Sequence, residues 1–239
     1  MASALVLLHG FTHTRASWAP VSAGVGERYR PLALDIRGHG AASDLEPVTL
    51  EAVIGDIAAA TDGRFALAGY SMGGRLALHA ALALGDRVDR LVLIGASPGI
   101  ADPGERAARR AEDELLAGEL GALTIEQFAE RWARTPVLAG QPPAVLAAIH
   151  DDRLRNTPAG LARALVGLGT GALPPVWDRL EELAMPVTLI AGERDQKFRA
   201  LASAMARAIR GATVVVVPGA GHAVHLEAPA AVAAALTPG

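Results

Sequence analysis

The stretch that decides the fold is Gly69-Tyr70-Ser71-Met72-Gly73-Gly74, where an apolar run meets a helical pattern. The run 64–70 predicts a buried strand, and the pattern 72–84 predicts a helix. A sharp strand-to-helix turn would strain the backbone of Ser71 and raise its hydroxyl above the sheet. Glycines two residues before and two residues after the serine leave room for the crossing. The motif therefore indicates a reactive serine at the carboxyl end of a strand.

Other short apolar runs, rich in β-branched residues, alternate with helical patterns along the chain. The predicted strands are 4–8, 31–36, 64–70, 90–95, 186–191 and 212–217. The predicted helices between and after them are 18–27, 50–60, 72–84, 198–209 and 228–236. Runs that are apolar on both faces are typical of parallel strands. The pattern predicts a doubly wound α/β fold with a mostly parallel sheet.

The segment between the fourth and fifth predicted strands breaks this rhythm. It contains no convincing strand and has helical patterns at 105–116, 125–134, 144–150, 160–168 and 176–183. A helical insertion there would lie beyond the carboxyl ends of the strands, over the ligand crevice. We expect an α/β core of residues 1–97 and 184–239 and a helical lid of residues 98–183. A separate helical domain is less favoured because the pieces are short.

A reactive serine needs a base, and the base needs a group that orients it. His222 follows the last predicted strand, and Asp195 follows the strand before it. The carboxyl ends of parallel strands meet at one edge of the sheet, so these side chains should converge on Ser71. The sequence predicts a triad of Ser71, His222 and Asp195, with Glu193 as the alternative acid.

A second match to the serine motif, Gly95-Ala96-Ser97-Pro98-Gly99, also follows a predicted strand. An oxyanion hole would use the backbone N–H that follows the serine. Proline has no N–H, so Pro98 could not supply this donor. We therefore interpret Ser97 as a strand-end residue that leads into the insertion.

The oxyanion donors expected for Ser71 are the backbone N–H groups of Met72 and of Phe11, in the loop after the first strand. His9 is expected to order that loop. Arg75 lies one helical turn after Ser71, and a charge so near the reactive end needs a partner. It could form a structural ion pair, but we favour an anionic substrate.

Composition narrows the function classes. Half of the residues are apolar (51%), the net charge is −3, and neither sign forms a long run. These values do not favour nucleic acid or an anionic membrane as a partner. The chain has no cysteine, which excludes disulfides, thiolate catalysis and cysteine-ligated zinc. No stretch reaches the ~20 apolar residues of a membrane span, and the N-terminus lacks a signal-peptide pattern. We expect a cytoplasmic protein without an evident protein partner.

The triad motifs resemble the α/β-hydrolase superfamily along most of the chain. A narrower group of motifs resembles the 2-succinyl-6-hydroxy-2,4-cyclohexadiene-1-carboxylate synthase family. These motifs are Gly69–Arg75, Gly192-Glu193-Arg194-Asp195-Gln196-Lys197-Phe198, Ser97-Pro98-Gly99-Ile100, residues 128–137 with Trp132 and Pro136, and Leu154-Arg155-Asn156.

This resemblance implies a lyase that expels pyruvate from a tricarboxylate without a cofactor or a metal. It implies that Arg75, Arg109, Arg155, Tyr70 and Trp132 bind the substrate. Lys197, the lone lysine, could shape the Asp195 loop. Two alternatives stay open. One is a hydrolase of carboxylic esters or carbon–carbon bonds, with Ser71 as a nucleophile. The other is a non-catalytic ligand receptor on the same fold.

Overall fold

The computed structural model describes residues 2–135 and 140–237. Each predicted strand is present, with ends shifted by at most two residues. The strands are Ser3–Leu8 (β1), Tyr29–Leu34 (β2), Phe65–Tyr70 (β3), Val88–Ile94 (β4), Val187–Gly192 (β5) and Thr213–Val217 (β6). They form one parallel sheet in the order β2-β1-β3-β4-β5-β6. The predicted doubly wound α/β fold is confirmed.

The helices follow the predicted pattern, with differences at their ends. They are Ala19–Gly24 (α1), Leu50–Ala59 (α2), Met72–Leu84 (α3), Pro103–Leu120 (α4), Ile125–Trp132 (α5), Pro143–Arg153 (α6), Pro158–Leu168 (α7), Gln196–Ala208 (α8), Val224–Glu227 (α9) and Pro229–Leu236 (α10). Helix α3 has the predicted bounds. Among the described residues, no helix combines the length and apolar character needed to cross a bilayer.

The sheet has an apolar core on each face. Along β1, Val6 and Leu8 point into one core, and Leu5 and Leu7 point into the other. The first core contains apolar residues of α2, α3 and α8, and the second contains apolar residues of α1, α9 and α10. Burial on both faces explains why the strands are continuous apolar runs rather than alternating ones.

The segment between β4 and β5 contains helices α4 to α7, as the sequence predicted. The last predicted helix of this segment is instead the 3-10 helix Trp177–Glu182. It lies between Pro175 and Pro186. Helices α4, α5 and α7 share a small apolar cluster with the loop after β1. Its buried members are Leu120, Phe128, Leu161 and Leu165, and Phe11 packs against them.

Strand β1 lies between β2 and β3, so the chain order reverses at this point of the sheet. Ligands of open α/β sheets bind beyond the carboxyl ends of the strands at such a reversal. The loop after β1 carries Phe11, and the turn after β3 carries Ser71. The topology therefore brings these two residues to one crevice.

Helix α3 crosses very close to β1, and glycine makes this approach possible. A Cβ atom on Gly73 would meet the Leu8 and His9 carbonyl oxygens far inside van der Waals contact. A Cβ atom on Gly69 would likewise meet the Gly73 carbonyl. The spacing of these glycines thus reflects backbone packing at the turn.

We expect Gly73→Ala to lower the free energy of unfolding by about 1–3 kcal/mol or more, because the new methyl group must displace backbone atoms. Denaturant titration followed by circular dichroism measures this change. Gly118→Ala is the matched control, since Gly118 is an exposed glycine inside α4 and a methyl group there would meet nothing within 4 Å. It should raise the free energy of unfolding by about 0.5–1 kcal/mol. Equal effects of the two substitutions would contradict the packing argument.

Candidate active site

Ser71 occupies the strained turn that the motif predicted. Its backbone has φ 51° and ψ −110°, a region that residues with a side chain rarely adopt. Such a conformation costs about 1–3 kcal/mol and persists only where surrounding contacts enforce it. The Ser71 N–H donates to the Ile94 carbonyl at 2.8 Å, which ties the turn to the neighbouring strand. The hydroxyl lies at the carboxyl end of β3.

The three predicted triad residues form one chain of hydrogen bonds. The Ser71 hydroxyl lies 3.1 Å from His222 Nε2, and His222 Nδ1 lies 2.6 Å from Asp195 Oδ2. His222 is buried at 6% exposure. With the proton on Nδ1, facing Asp195, Nε2 is the acceptor for the serine proton. This arrangement can activate Ser71 as a nucleophile or as a base.

Asp195 is held in place as the N-cap of α8, where its Oδ1 accepts from the Phe198 N–H at 3.3 Å. The Phe198 ring packs on the His222 ring with centroids 4.5 Å apart. Glu193, the alternative acid, instead accepts from the Gly219 N–H at 2.8 Å. The geometry therefore places Asp195 next to the histidine.

The second serine motif has a different structural role. Gly95 has φ 54°, and a Cβ atom there would lie 2.9 Å from His222 Cε1. Glycine at this position leaves space for the histidine ring. Ser97 borders the cavity next to the triad, but its hydroxyl accepts from the Gly99 N–H at 3.4 Å. No helix begins until Pro103, so Ser97 does not occupy a strand-to-helix turn.

The loop after β1 is ordered by His9, as expected. Its Nε2 accepts from the Ile36 N–H at 3.0 Å, and its Nδ1 lies 2.9 Å from the Gly10 carbonyl. Burial lowers the pKa of His9 to about 4, so the ring is neutral and can fill both roles. Phe11 lies two residues after His9, and its side chain lines the same cavity as Ser71. Met72 is the first residue of α3, so its N–H has no partner within the helix. The role of these two N–H groups as oxyanion donors stays a prediction.

Ser71 and His222 face a cavity of about 790 Å³. The insertion helices contribute Glu105 and Arg109 of α4, Trp132 of α5 and Leu165 of α7 to its wall. Phe198 and Leu201 of α8 form an apolar side. The cations that line it in the described part of the chain are Arg75, Arg109 and Lys197.

Arg75 is buried at 6% exposure and donates to the Leu168 carbonyl at 3.0 Å. Its Nε has no partner, and no carboxylate within the described ranges pairs with it. Burial and the nearby Arg109 lower the pKa of Arg75 to about 10. Arg109 pairs with Asp113 at 2.8 Å and is partly exposed to the cavity. Two cations this close favour an anion between them.

A second, smaller cavity of about 60 Å³ adjoins the triad. It is lined by Phe11, His13, Tyr70, Ser71, Trp132, Arg153 and His222. Arg153 is buried at 2% exposure and donates from Nε to the Thr12 hydroxyl at 3.2 Å. Burial lowers the pKa of Arg153 to about 10 and raises that of the Tyr70 phenol. Tyr70 and Trp132 therefore line a cavity beside the triad, and their binding of substrate stays a prediction. Pro136 lies outside the described residues.

Arg155 is the predicted site residue that the structure does not bring to the cavity. Its side chain is 63% exposed and lies 3.8 Å from Asp152. Residues two apart at the end of a helix point to different sides, so Arg153 faces inward and Arg155 faces solvent. The signal was present in the sequence, since the buried Ile149 lies four residues before Arg153 on the same helix face. The cavity-facing arginine of this segment is thus Arg153.

Among the described residues, no cluster of three or more histidine, aspartate or glutamate side chains could hold a metal ion. Several histidines near the site are instead buried and neutral. Burial is the main cause that lowers the pKa of His13, His39 and His225.

His79 offers a test of this electrostatic description. It lies one turn after Arg75 in α3, and burial together with that arginine lowers its pKa from 6.5 to about 4. Between these values the unfolded chain binds a proton that the folded protein rejects, so stability falls as pH decreases. We expect His79→Gln to make the loss of unfolding free energy from pH 6.5 to 4 smaller by about 1–3 kcal/mol. Urea titrations across this range measure the difference. Parallel curves throughout would contradict a depressed pKa at His79.

Comparison with known proteins agrees with this architecture. Residues 5–235 match the model of the alpha/beta hydrolase family. A Bacillus subtilis protein provisionally named as a 2-succinyl-6-hydroxy-2,4-cyclohexadiene-1-carboxylate synthase is 36% identical, over 95% of this chain and 86% of its own length. The synthase of that name from Salmonella paratyphi C is 34% identical, over 97% and 91% of the two chains.

Comparison with solved structures supports the same fold and family. MenH from S. aureus superposes with a TM-score of 0.92 and 30% identity, covering 98% of this chain and 91% of its own. An esterase from Thermogutta terrifontis, solved with malate bound, has a TM-score of 0.82 and 27% identity, with coverage of 99% and 88%. The chain therefore belongs to the alpha/beta hydrolase family and, within it, to the family of 2-succinyl-6-hydroxy-2,4-cyclohexadiene-1-carboxylate synthases.

Proposed function

We propose that this protein is a lyase of menaquinone biosynthesis. It eliminates pyruvate from 2-succinyl-5-enolpyruvyl-6-hydroxy-3-cyclohexene-1-carboxylate and forms 2-succinyl-6-hydroxy-2,4-cyclohexadiene-1-carboxylate. The observation that carries the proposal is a hydrogen-bonded triad that opens onto buried arginines without carboxylate partners among the described residues. The relatives from Bacillus subtilis and Salmonella paratyphi C carry the name of this synthase.

The charge arrangement suits this substrate. It carries three carboxylates, and a buried guanidinium gains most from a bidentate carboxylate partner. Arg75 and Arg109 line the large cavity and Arg153 lines the small one, and Ser71 borders both. A polycarboxylate that spans the serine would neutralise both groups. It would also offset the repulsion from Arg109, which adds to burial in lowering the pKa of Arg75.

The triad supplies the proton transfer. His222, oriented by Asp195, takes the proton from the Ser71 hydroxyl through Nε2. The serine oxygen then removes the ring proton at C2, beside the succinyl carbonyl. The N–H groups of Phe11 and Met72 stabilise the negative charge on that carbonyl oxygen. Ser71 acts in this step as a base and forms no bond to carbon.

The elimination balances without water or a redox partner. Loss of the C2 proton moves the ring double bond from C3–C4 to C2–C3, forms a second one at C4–C5, and breaks the C5–O bond. The leaving enolpyruvate takes up the proton held by His222 and Ser71 and becomes pyruvate. Pyruvate and the cyclohexadiene product therefore account for every atom of the substrate.

We further propose that residues 98–183 form a lid inserted in the core of residues 1–97 and 184–239. Helices α4, α5 and α7 contribute to the wall of the cavity that Ser71 and His222 face, which supports this division. Such a cover excludes water from the charged substrate and strengthens the interactions of the arginines with it.

A serine hydrolase remains the second candidate function, since the strained Ser71 turn and the bond to His222 are equally suited to a nucleophile. The esterase described above supports it at lower identity. The two functions differ in their covalent intermediate, because only the hydrolase forms an acyl-enzyme. Rapid turnover of p-nitrophenyl acetate with an initial burst would favour the hydrolase over the lyase.

The lyase proposal predicts that Ser71→Ala abolishes pyruvate release from the enolpyruvyl substrate. The loss should be about a thousandfold or more, because the base is removed while the cavity is kept. Lactate dehydrogenase and NADH monitor the pyruvate. If the wild-type protein releases no pyruvate, the lyase proposal is contradicted. If Ser71→Ala keeps full activity, the role of Ser71 as the base is contradicted.

Two neighbouring arginines provide a matched pair. Arg153→Ala should lower kcat/KM about 10- to 150-fold, since losing a charge-assisted pair costs about 1.5–3 kcal/mol. Arg155→Ala should change it by less than about fivefold, because an exposed ion pair contributes little. Thermal melts of both variants check folding, and Arg153→Lys keeps the positive charge. Equal losses for the two alanine variants would contradict the assignment of Arg153.

A further inference from the structure

We propose that Glu227 is a positioning residue that holds His222 in register with Asp195 and Ser71. Glu227 is the last residue of α9 and does not line either cavity. Its role in catalysis rests on the proposed function, whereas its effect on the geometry of the triad does not.

The Glu227 carboxylate accepts hydrogen bonds from the backbone on both sides of His222. Oε2 accepts from the Gly221 N–H at 2.8 Å, and Oε1 accepts from the Ala223 N–H at 3.2 Å. His222 is the residue between these two amides. One carboxylate therefore binds the amides of the residues before and after His222, and this restrains where the His222 ring can lie.

The same carboxylate connects the histidine loop to the aspartate loop. Arg194 NH2 donates to Glu227 Oε2 at 2.8 Å, and Arg194 is directly before Asp195 in the chain. The Arg194 N–H also donates to the Ala220 carbonyl at 2.9 Å. The acid and base loops are thus joined by three contacts: the 2.6 Å hydrogen bond of Asp195 with His222, the Glu227–Arg194 ion pair, and the bond from the Arg194 N–H to Ala220.

Burial of the Glu227 carboxylate has a desolvation cost that its contacts must offset. The Glu227 side chain is 3% exposed, and a buried carboxylate is destabilising unless its oxygens are bonded. The bond from Ala223, the N-cap residue, satisfies an amide at the start of α9 that has no partner within the helix. Capping does not explain the shorter bond from Gly221, which lies two residues before the cap. The Gly221 bond connects Glu227 to the part of the chain that precedes His222.

The triad is sensitive to a small shift of this loop. The Ser71–His222 separation of 3.1 Å is already near the long end of the hydrogen-bond range. The His222 ring also lies against Gly95, where even a methyl group would collide with it. A shift of the His222 ring away from Ser71 breaks their hydrogen bond. A shift toward Gly95 pushes the ring against the end of β4.

The first arm of the test is kinetic. We expect Glu227→Gln to lower kcat for pyruvate release by about 10- to 100-fold, since a misplacement of about 1 Å can cost about a hundredfold. KM should stay within about twofold, because the cavity arginines are unchanged. Arg194→Gln should lower kcat by a smaller factor, since the two backbone contacts of Glu227 remain. Glu182→Gln, which breaks an exposed Arg179–Glu182 pair, is the control with wild-type kcat.

The second arm observes the triad directly. A proton shared between His222 Nδ1 and Asp195 at 2.6 Å should give a low-field proton NMR signal, which His222→Gln removes and so assigns. We expect the signal to broaden or vanish in Glu227→Gln and to persist in Glu182→Gln. This arm needs no substrate, so it tests the positioning role even if the protein releases no pyruvate.

The outcomes separate positioning from a merely structural role. An unchanged kcat and an unchanged low-field signal in folded Glu227→Gln would overturn the proposal, even if the melting temperature fell. A rise in KM with constant kcat would overturn it too, because that result places Glu227 in binding. If Glu227→Gln does not fold, Glu227→Asp, which keeps the charge but shortens the reach, must show the loss of kcat and signal.

Discussion

The turn at Ser71 can exist only where three backbone segments approach one another without intervening Cβ atoms. Gly69 and Gly73 allow α3 to cross the ends of β3 and β1, and Ser71 itself is left at a positive φ. The sheet order places the loop after β1 opposite this turn. The serine hydroxyl, the amides available to an oxyanion and the start of α3 are therefore set by one packing constraint.

The charges around the two cavities determine which ligands the site can bind. The histidines behind the cavity are buried and neutral, whereas Arg75 and Arg153 are buried cations without a carboxylate partner among the described residues. A charge left unpaired inside a protein destabilises it, so a ligand that supplies carboxylates restores the balance. The same triad would serve a hydrolase. The cations, rather than the triad, distinguish a polycarboxylate lyase from a general esterase.

The loops around the triad are held by apolar packing and by hydrogen bonds. Ala220 and Ala223, after β6, are buried in one of the two apolar cores. Glu193 and Glu227 accept from backbone amides of the same loop, and the Arg194 N–H donates to the Ala220 carbonyl. Each hydrogen bond adds a directional restraint that apolar packing lacks. The acidic residues next to a catalytic histidine need not be catalytic acids themselves.

The fold and the convergence of Ser71, Asp195 and His222 could be predicted from the sequence because both depend on local patterns. Apolar runs determine the strands, and the shared edge of a parallel sheet is enough to bring Ser71, Asp195 and His222 together. Pro98, which has no N–H, was sufficient to separate Ser97 from Ser71. The direction of side chains in the insertion depends on the tertiary structure. The spacing of Arg153 from the apolar Ile149 indicates a shared helix face, but only the packing of α6 shows that this face turns toward the cavity and leaves Arg155 in solvent. Glu227 carried no sequence signal, because its partners lie in loops whose meeting depends on the folded sheet.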